Sequence, residues 1–74
     1  MIMVIFDENS AAHLLELVGP YVSNIEYVAG YIRSYQGFEK NEIMSDLDEK
    51  IEREPDPSRR TDLRILRNAF EKLQ

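Results

Sequence analysis

Apolar residues recur every three or four positions along most of this chain, and this period constrains the fold more than any other feature. The clearest seam has spacings of 4, 3, 4 and 3 and consists of Tyr21, Ile25, Val28, Ile32 and Tyr35. A second seam near the C-terminal end consists of Leu63, Leu66, Phe70 and Leu73. Such spacing places side chains on one face of an α-helix. The sequence therefore predicts amphipathic helices, each burying one face.

Glycine and proline divide this pattern into four segments. The breaks are Gly19-Pro20, Gly37 and Pro55-Asp56-Pro57. Glycine favours helix ends and proline favours the first helical turn. The predicted helices span about 9–18, 20–36, 39–53 and 57–73. Asn9 or Ser10 is expected to cap the first helix and Asp56 the last. Because the connections are short, consecutive helices should be antiparallel. We predict one all-α domain over residues 1–74, a three- to four-helix bundle.

The first six residues, Met1 to Phe6, are all apolar and precede Asp7 and Glu8. Periodicity alone does not distinguish a buried strand from an extended arm. One interpretation is an apolar arm, residues 1–7, packed over the helical core. The other is a short strand at residues 2–6 that pairs with its own copy across a two-fold axis.

The small size of the chain limits how it can be stabilised. A chain of 74 residues buries only about 60% of its unfolded surface, so its stability is marginal. It has no cysteine, which excludes disulfides and thiolate metal sites, and His13 is its single histidine. Association with a second copy or another protein remains as the stabilising device, and a homodimer is expected.

Acidic residues are concentrated in the third predicted helix. The chain carries a net charge of −5, which argues against nucleic acid as a partner. Glu42, Asp46 and Glu49 lie about one turn apart and are predicted to bind a basic face of another protein. The alternative is a solvated face that pairs with Lys50 and Arg53 at i,i+4.

The last helix carries the opposite charge. Arg60, Arg64 and Arg67 follow at i, i+4 and i+7 and form a possible basic contact face. The planar guanidinium suits carboxylates and phosphates. The acidic third helix is the expected partner, with another protein or nucleic acid as alternatives.

Three tyrosines repeat at i,i+4 in the second helix. Tyr27 and Tyr31 lie off the apolar seam and are predicted to contact a partner protein, since aromatic residues are enriched in interfaces. The alternative is that they cover the edge of the core. Gly30 lies between them at a cost of about 1 kcal/mol relative to alanine, which suggests that another backbone approaches there.

The sequence carries no recognisable catalytic set. His13 has no evident orienting partner, no G-x-S-x-G motif surrounds a serine, and there is no glycine-rich phosphate loop. We therefore expect neither an enzyme nor a bound cofactor or metal. No apolar run approaches about 20 residues, so no membrane span is expected and the predicted location is cytoplasmic.

These features favour a small acidic helical module that acts by binding another protein. Such a module would serve as an inhibitor, an antitoxin or immunity-type factor, or an adaptor. One alternative is a helix-turn-helix-like regulator that contacts DNA through the arginines of the last helix. A third is a self-assembling structural unit that exchanges its N-terminal arm. The residues identify neither the partner nor the pathway.

Overall fold

A computed structural model describes residues 5–73, and the regular structure in that part of the chain is helical. It contains α1 (Glu8–Val18), α2 (Ile25–Ser34), α3 (Lys40–Arg53) and α4 (Pro57–Lys72). Helix α4 packs against each of the other three, and α1 also packs against α2. The predicted all-α fold, a small helical bundle, is confirmed.

The core is built from the apolar seams that the spacing predicted, together with the end of the N-terminal arm. Its fully buried side chains include Phe6, Leu14, Val28, Ile32, Ile43, Leu47, Leu63, Leu66 and Phe70. The Phe6 and Phe70 rings lie 4.7 Å apart between centroids. Burying each large apolar side chain contributes roughly 1.5–3 kcal/mol, so this cluster supplies most of the driving force for folding.

The cap of helix α1 is Asp7, two residues before Asn9 and three before Ser10. Asp7 has an extended backbone, and its carboxylate accepts the Ser10 backbone N–H at 2.7 Å. This hydrogen bond lowers the pKa of Asp7 below its ordinary value. The prediction of Asn9 or Ser10 as the cap was wrong, because both residues already lie inside the helix.

Helix α2 is shorter than predicted at both ends. It starts at Ile25 rather than at Pro20 and ends at Ser34. Tyr21 is 73% exposed and Ile25 is 43% exposed, so the first two members of the predicted seam lie outside the core. The segment 19–24 is instead a turn, and its last two backbone N–H groups, those of Ser23 and Asn24, donate to a side chain of α4 that is described below.

The described end of the N-terminal arm pairs within the chain. The Phe6 N–H donates to the Phe38 carbonyl at 2.9 Å, and the Gly37 N–H donates to the Phe6 carbonyl at 2.7 Å. Ile5 forms an antiparallel bridge with Glu39. Gly37 has a φ of +92°, the left-handed conformation that its predicted role at the helix end requires. For Ile5 and Phe6 the pairing partner is thus not a second copy, while residues 2–4 of the predicted strand lie outside the described residues.

Helices α3 and α4 form an antiparallel hairpin in which each binds the carboxyl end of the other. Lys40, in the first turn of α3, donates to the Glu71 and Leu73 carbonyls at 3.1 and 2.6 Å. Arg60, in the first turn of α4, donates twice to the Glu54 carbonyl at 3.0 and 2.6 Å. Carbonyls at a helix end lack intrahelical donors and attract cations, so both contacts stabilise the hairpin.

Helix α4 begins at the predicted residue. Asp56 occupies the cap position and Pro57 opens the helix. The Asp56 carboxylate makes no capping hydrogen bond to the helix backbone and lies 3.9 Å from the Arg59 guanidinium. Asp56 therefore contributes to the start of α4 through its extended backbone conformation and its negative charge near the helix N-terminus.

Candidate binding surfaces

The least expected side chain is Asp62, a carboxylate buried to 1% exposure on the inner face of α4. It accepts the backbone N–H groups of Ser23 and Asn24 at 3.0 and 2.7 Å, and the Asn24 side-chain amide at 2.9 Å. That amide also donates to the Ser58 hydroxyl at 3.1 Å. We call this set of contacts the α2–α4 joint.

Burial alone would raise the pKa of Asp62, but the three hydrogen bonds outweigh it and hold the pKa below its ordinary value of 3.8. The charged carboxylate thus fixes the turn that leads into α2, whose own cap residue, Asn24, makes no side-chain capping hydrogen bond. Sequence reasoning missed this role. The available signal was the position of Asp62, four residues before the buried Leu66 and next to Leu63.

The tyrosines of α2 lie at the edge of the core and reach toward α3. The Tyr27 hydroxyl donates to the Glu54 carboxylate at 2.8 Å, and the Tyr35 hydroxyl donates to Asp46 at 2.5 Å. Tyr31 packs edge-to-face on Tyr27, with ring centroids 5.1 Å apart. Burial and then these hydrogen bonds raise the pKa of Tyr27 and of Tyr35 above the ordinary value of 10.0.

Through these contacts, Tyr27, Tyr31 and Tyr35 interact with other residues of the same chain. The Arg59 guanidinium also lies 4.9 Å above the Tyr27 ring. Partner binding through Tyr27 and Tyr31 stays a prediction. A Cβ built on Gly30 would meet nothing within 4 Å, so no described backbone of this chain approaches that glycine.

The three predicted acidic residues of α3 differ in their surroundings. Asp46 accepts the Tyr35 hydroxyl and lies 3.4 Å from the Lys50 ammonium. Glu49 pairs with Arg53 at 2.9 Å. Glu42 is exposed and lines two adjoining hollows on either side of its position on the helix. Asp46 also lines both hollows but is half-buried, so Glu42 is the more exposed of the two acids that they share.

The first of those hollows, which we call the acidic notch, lies between the end of α2 and the first turns of α3. It is lined by Ser34, Tyr35, Phe38, Glu42, Ile43 and Asp46. Tyr35 and Ile43 are buried, whereas Phe38 is 52% exposed. The second hollow adds the carboxylates of Glu39 and Glu49. An exposed aromatic ring thus lies next to a cluster of carboxylates.

The arginines of α4 do not form one free basic face. Arg60 binds the Glu54 carbonyl, and Arg67 binds the carboxylates of Asp48 and Glu71. The hydrogen bond to Asp48 raises the pKa of Arg67. Arg64 is exposed. The expected pairing with the acidic helix is present for Arg67, whereas Arg60 binds the carbonyl at the end of α3 rather than its acidic side chains.

A second concave surface, which we call the α1–α4 groove, runs along the outside of these two helices. Its apolar lining includes Leu17, Tyr21, Ile65, Ala69 and Leu73. Leu17 is 48% exposed and Tyr21 is 73% exposed. Its polar lining consists of Asn9, Ser10, His13, Asn68 and Lys72. The apolar spacing predicted Tyr21 as a core residue and gave no indication of this surface.

Two further observations concern metal binding and membrane-spanning helices. Within residues 5–73, no group of three or more histidine and carboxylate side chains is arranged to hold a metal ion. In the same part of the chain, none of the helices combines the length and the apolar character that crossing a membrane requires.

Comparison with known protein families gives a match that covers most of the chain. No curated protein and no solved structure is significantly similar to it. Residues 8–74, which include all four helices, match the MJ1579 family. The chain therefore belongs to the MJ1579 family.

Proposed function

We propose that this protein is an interaction module that binds a basic segment of another protein in the acidic notch. Such a module would act as an inhibitor, an antitoxin or immunity-type factor, or an adaptor. The observation that supports the proposal is the exposed Phe38 ring beside the exposed Glu42 carboxylate, above the apolar floor of Tyr35 and Ile43.

The chemistry of the notch defines the partner. An apolar side chain of the bound segment would lie against Phe38 and Ile43, where it displaces water from apolar surface. Flanking lysine or arginine residues would approach Glu42 and the neighbouring Glu39 and Glu49, which line the adjoining hollow. A guanidinium could also stack on the Phe38 ring, a contact worth about 0.5–1 kcal/mol at an exposed site.

The net charge of −5 supports the same choice of partner. A negative field attracts basic segments and raises their association rate, and this attraction weakens as salt is added. The arrangement does not favour the DNA-binding alternative, because the guanidiniums of Arg60 and Arg67 already bind acceptors of this chain.

A peptide-display selection against the purified protein tests the proposal. The enriched peptides should carry an aromatic or aliphatic residue flanked by lysine or arginine. Titration calorimetry on one enriched peptide should then show that Phe38→Ala and Glu42→Lys each weaken binding by about tenfold, equivalent to about 1.4 kcal/mol.

Glu52→Lys is the matched control, since Glu52 is an exposed acid of α3 that does not line the notch. It makes the same change in net charge and should leave binding within about twofold at 0.15 M salt, where surface charges are screened beyond about 8 Å. Equal losses for Glu42→Lys and Glu52→Lys would show that net charge, rather than the notch, binds the peptide. Failure to enrich basic peptides would contradict the proposal.

A further inference from the structure

The α1–α4 groove has walls of complementary shape and charge. Its two walls run antiparallel, because the start of α1 lines it together with the end of α4. At one end His13 lies with Leu73, and at the other Tyr21 lies with Ile65. Leu17 and Ala69 line both halves, so these two residues lie level with each other at the middle.

The shapes of the two walls are complementary. Leu17 is a large side chain left 48% exposed on α1. Ala69 is a small side chain on α4, set between the larger Ile65 and Leu73. Leu17 thus has the form of a knob and the surface over Ala69 the form of a hole, the arrangement by which helices interlock.

The charges of the two walls are complementary as well. On α1, Glu16 is exposed and adjoins Leu17 on the side away from the core. On α4, Lys72 is exposed and lines the groove along its length. One wall is therefore acidic at its rim and the other basic, which is the distribution that a two-fold interface requires of a single surface.

We propose that two copies associate through this groove about a two-fold axis parallel to α1 and α4. Such an axis places α1 of each copy on α4 of its partner. Rotation about it does not change the position of a residue along the helix direction, so residues that lie side by side in one copy also face each other across the interface. Leu17 then meets the partner's Ala69, Tyr21 meets the partner's Ile65, and Glu16 approaches the partner's Lys72, each contact occurring twice. This association also supplies the stabilisation that a 74-residue chain without cysteine otherwise lacks.

Sedimentation equilibrium of the full chain over a range of concentrations tests the proposal directly. The wild type should fit a monomer–dimer equilibrium, and Leu17→Glu should raise its dissociation constant by about tenfold or more, because it buries two charges without partners. Phe38→Glu places the same charge on a residue of similar exposure, 52%, outside the groove and should leave the equilibrium unchanged. A wild type that stays monomeric at every concentration would overturn the proposal.

Charge exchange tests the orientation of the two copies. Glu16→Lys and Lys72→Glu should each weaken the dimer, since each places like charges opposite one another twice. The double variant should regain most of the association. Additive weakening in the double variant would contradict the placement of α1 on the partner's α4.

The absence of native cysteine allows a direct check of register. When Leu17→Cys and Ala69→Cys chains are mixed and oxidised, a disulfide should join one chain of each kind. Leu17→Cys alone forming an efficient disulfide would show that α1 lies on the partner's α1 and would overturn the proposed geometry. Peptide binding by Leu17→Glu, measured in parallel, reports on the acidic notch alone, so failure of the dimer and failure of the proposed function are distinguishable.

Discussion

Asp62 in the α2–α4 joint and Glu42 at the acidic notch carry the same charge in opposite surroundings. Asp62 is 1% exposed and accepts three hydrogen bonds, whereas Glu42 is exposed on the outside of α3 beside the exposed Phe38. The first carboxylate is held by the fold, and its removal would leave the N–H groups of Ser23 and Asn24 without this acceptor. The second is free to meet another molecule. A carboxylate's role in this protein is therefore set by its surroundings rather than by its place in an acidic run.

The largest effect is expected when the charge of Asp62 is removed, and removal of the Glu42 charge is the comparison. Asp62→Asn should lower the free energy of unfolding by about 3 kcal/mol, because at this buried position an amide nitrogen would replace a charged oxygen that accepts backbone N–H groups. Glu42→Gln should change it by less than about 0.5 kcal/mol. Urea unfolding monitored by circular dichroism, at one fixed protein concentration, gives both values. Equal effects would abolish the distinction between the two regions.

Acid should remove the advantage of the buried carboxylate. Because the folded-state pKa of Asp62 lies below the ordinary 3.8, its stabilisation is present above that pH and is lost as pH falls through the folded-state value. The stability difference between wild type and Asp62→Asn should therefore narrow below about pH 4. Urea midpoints measured from pH 7 to pH 2 would show this. A difference that stays constant to pH 2 would mean that the charge itself does not contribute.

The same contrast should hold between two arginines one turn apart. Arg60→Ala should cost about 1.5 kcal/mol, since it removes two charge-assisted hydrogen bonds to the carbonyl at the end of α3. Arg64→Ala, at an exposed position, should cost less than about 0.5 kcal/mol. Chemical denaturation of both variants measures the difference. If Arg64→Ala proved the more costly, the capping role of Arg60 would be wrong.

The smallest effects are expected at two glycines, with opposite signs. Gly37→Ala should destabilise by about 1 kcal/mol, because its φ of +92° strains any residue with a Cβ. Gly30→Ala should stabilise by about 0.5–1 kcal/mol, since a methyl group there meets no described atom within 4 Å and alanine favours the helix. Thermal unfolding followed by circular dichroism resolves both shifts. Destabilisation by Gly30→Ala would indicate that a partner or second copy packs closely there.

Much of the fold could be predicted because it depends on local chemistry. Helices α1, α3 and α4 begin and end within a residue or two of the predicted bounds, since apolar spacing, glycine and proline act over one or two turns. Helix α2 departed most from its predicted bounds because the turn that precedes it is held by Asp62, which is 38 residues away from Asn24 in the chain. A hydrogen bond to a side chain of another helix leaves no local signature in the sequence.

The candidate surfaces also combine features that the sequence predicts with features that depend on packing. Glu42, Asp46 and Glu49 were identifiable as an acidic row, but only packing assigns Asp46 to Tyr35 and leaves Glu42 exposed beside Phe38. Tyr21 shared the period of the core yet lies on the surface, because the turn that precedes α2 takes it out of the helix. Helical period, helix number and acidic character were determined by the sequence itself, since each depends on neighbours along the chain. Which charges are satisfied and which surfaces stay open was decided by the tertiary structure, since both depend on residues far apart in sequence.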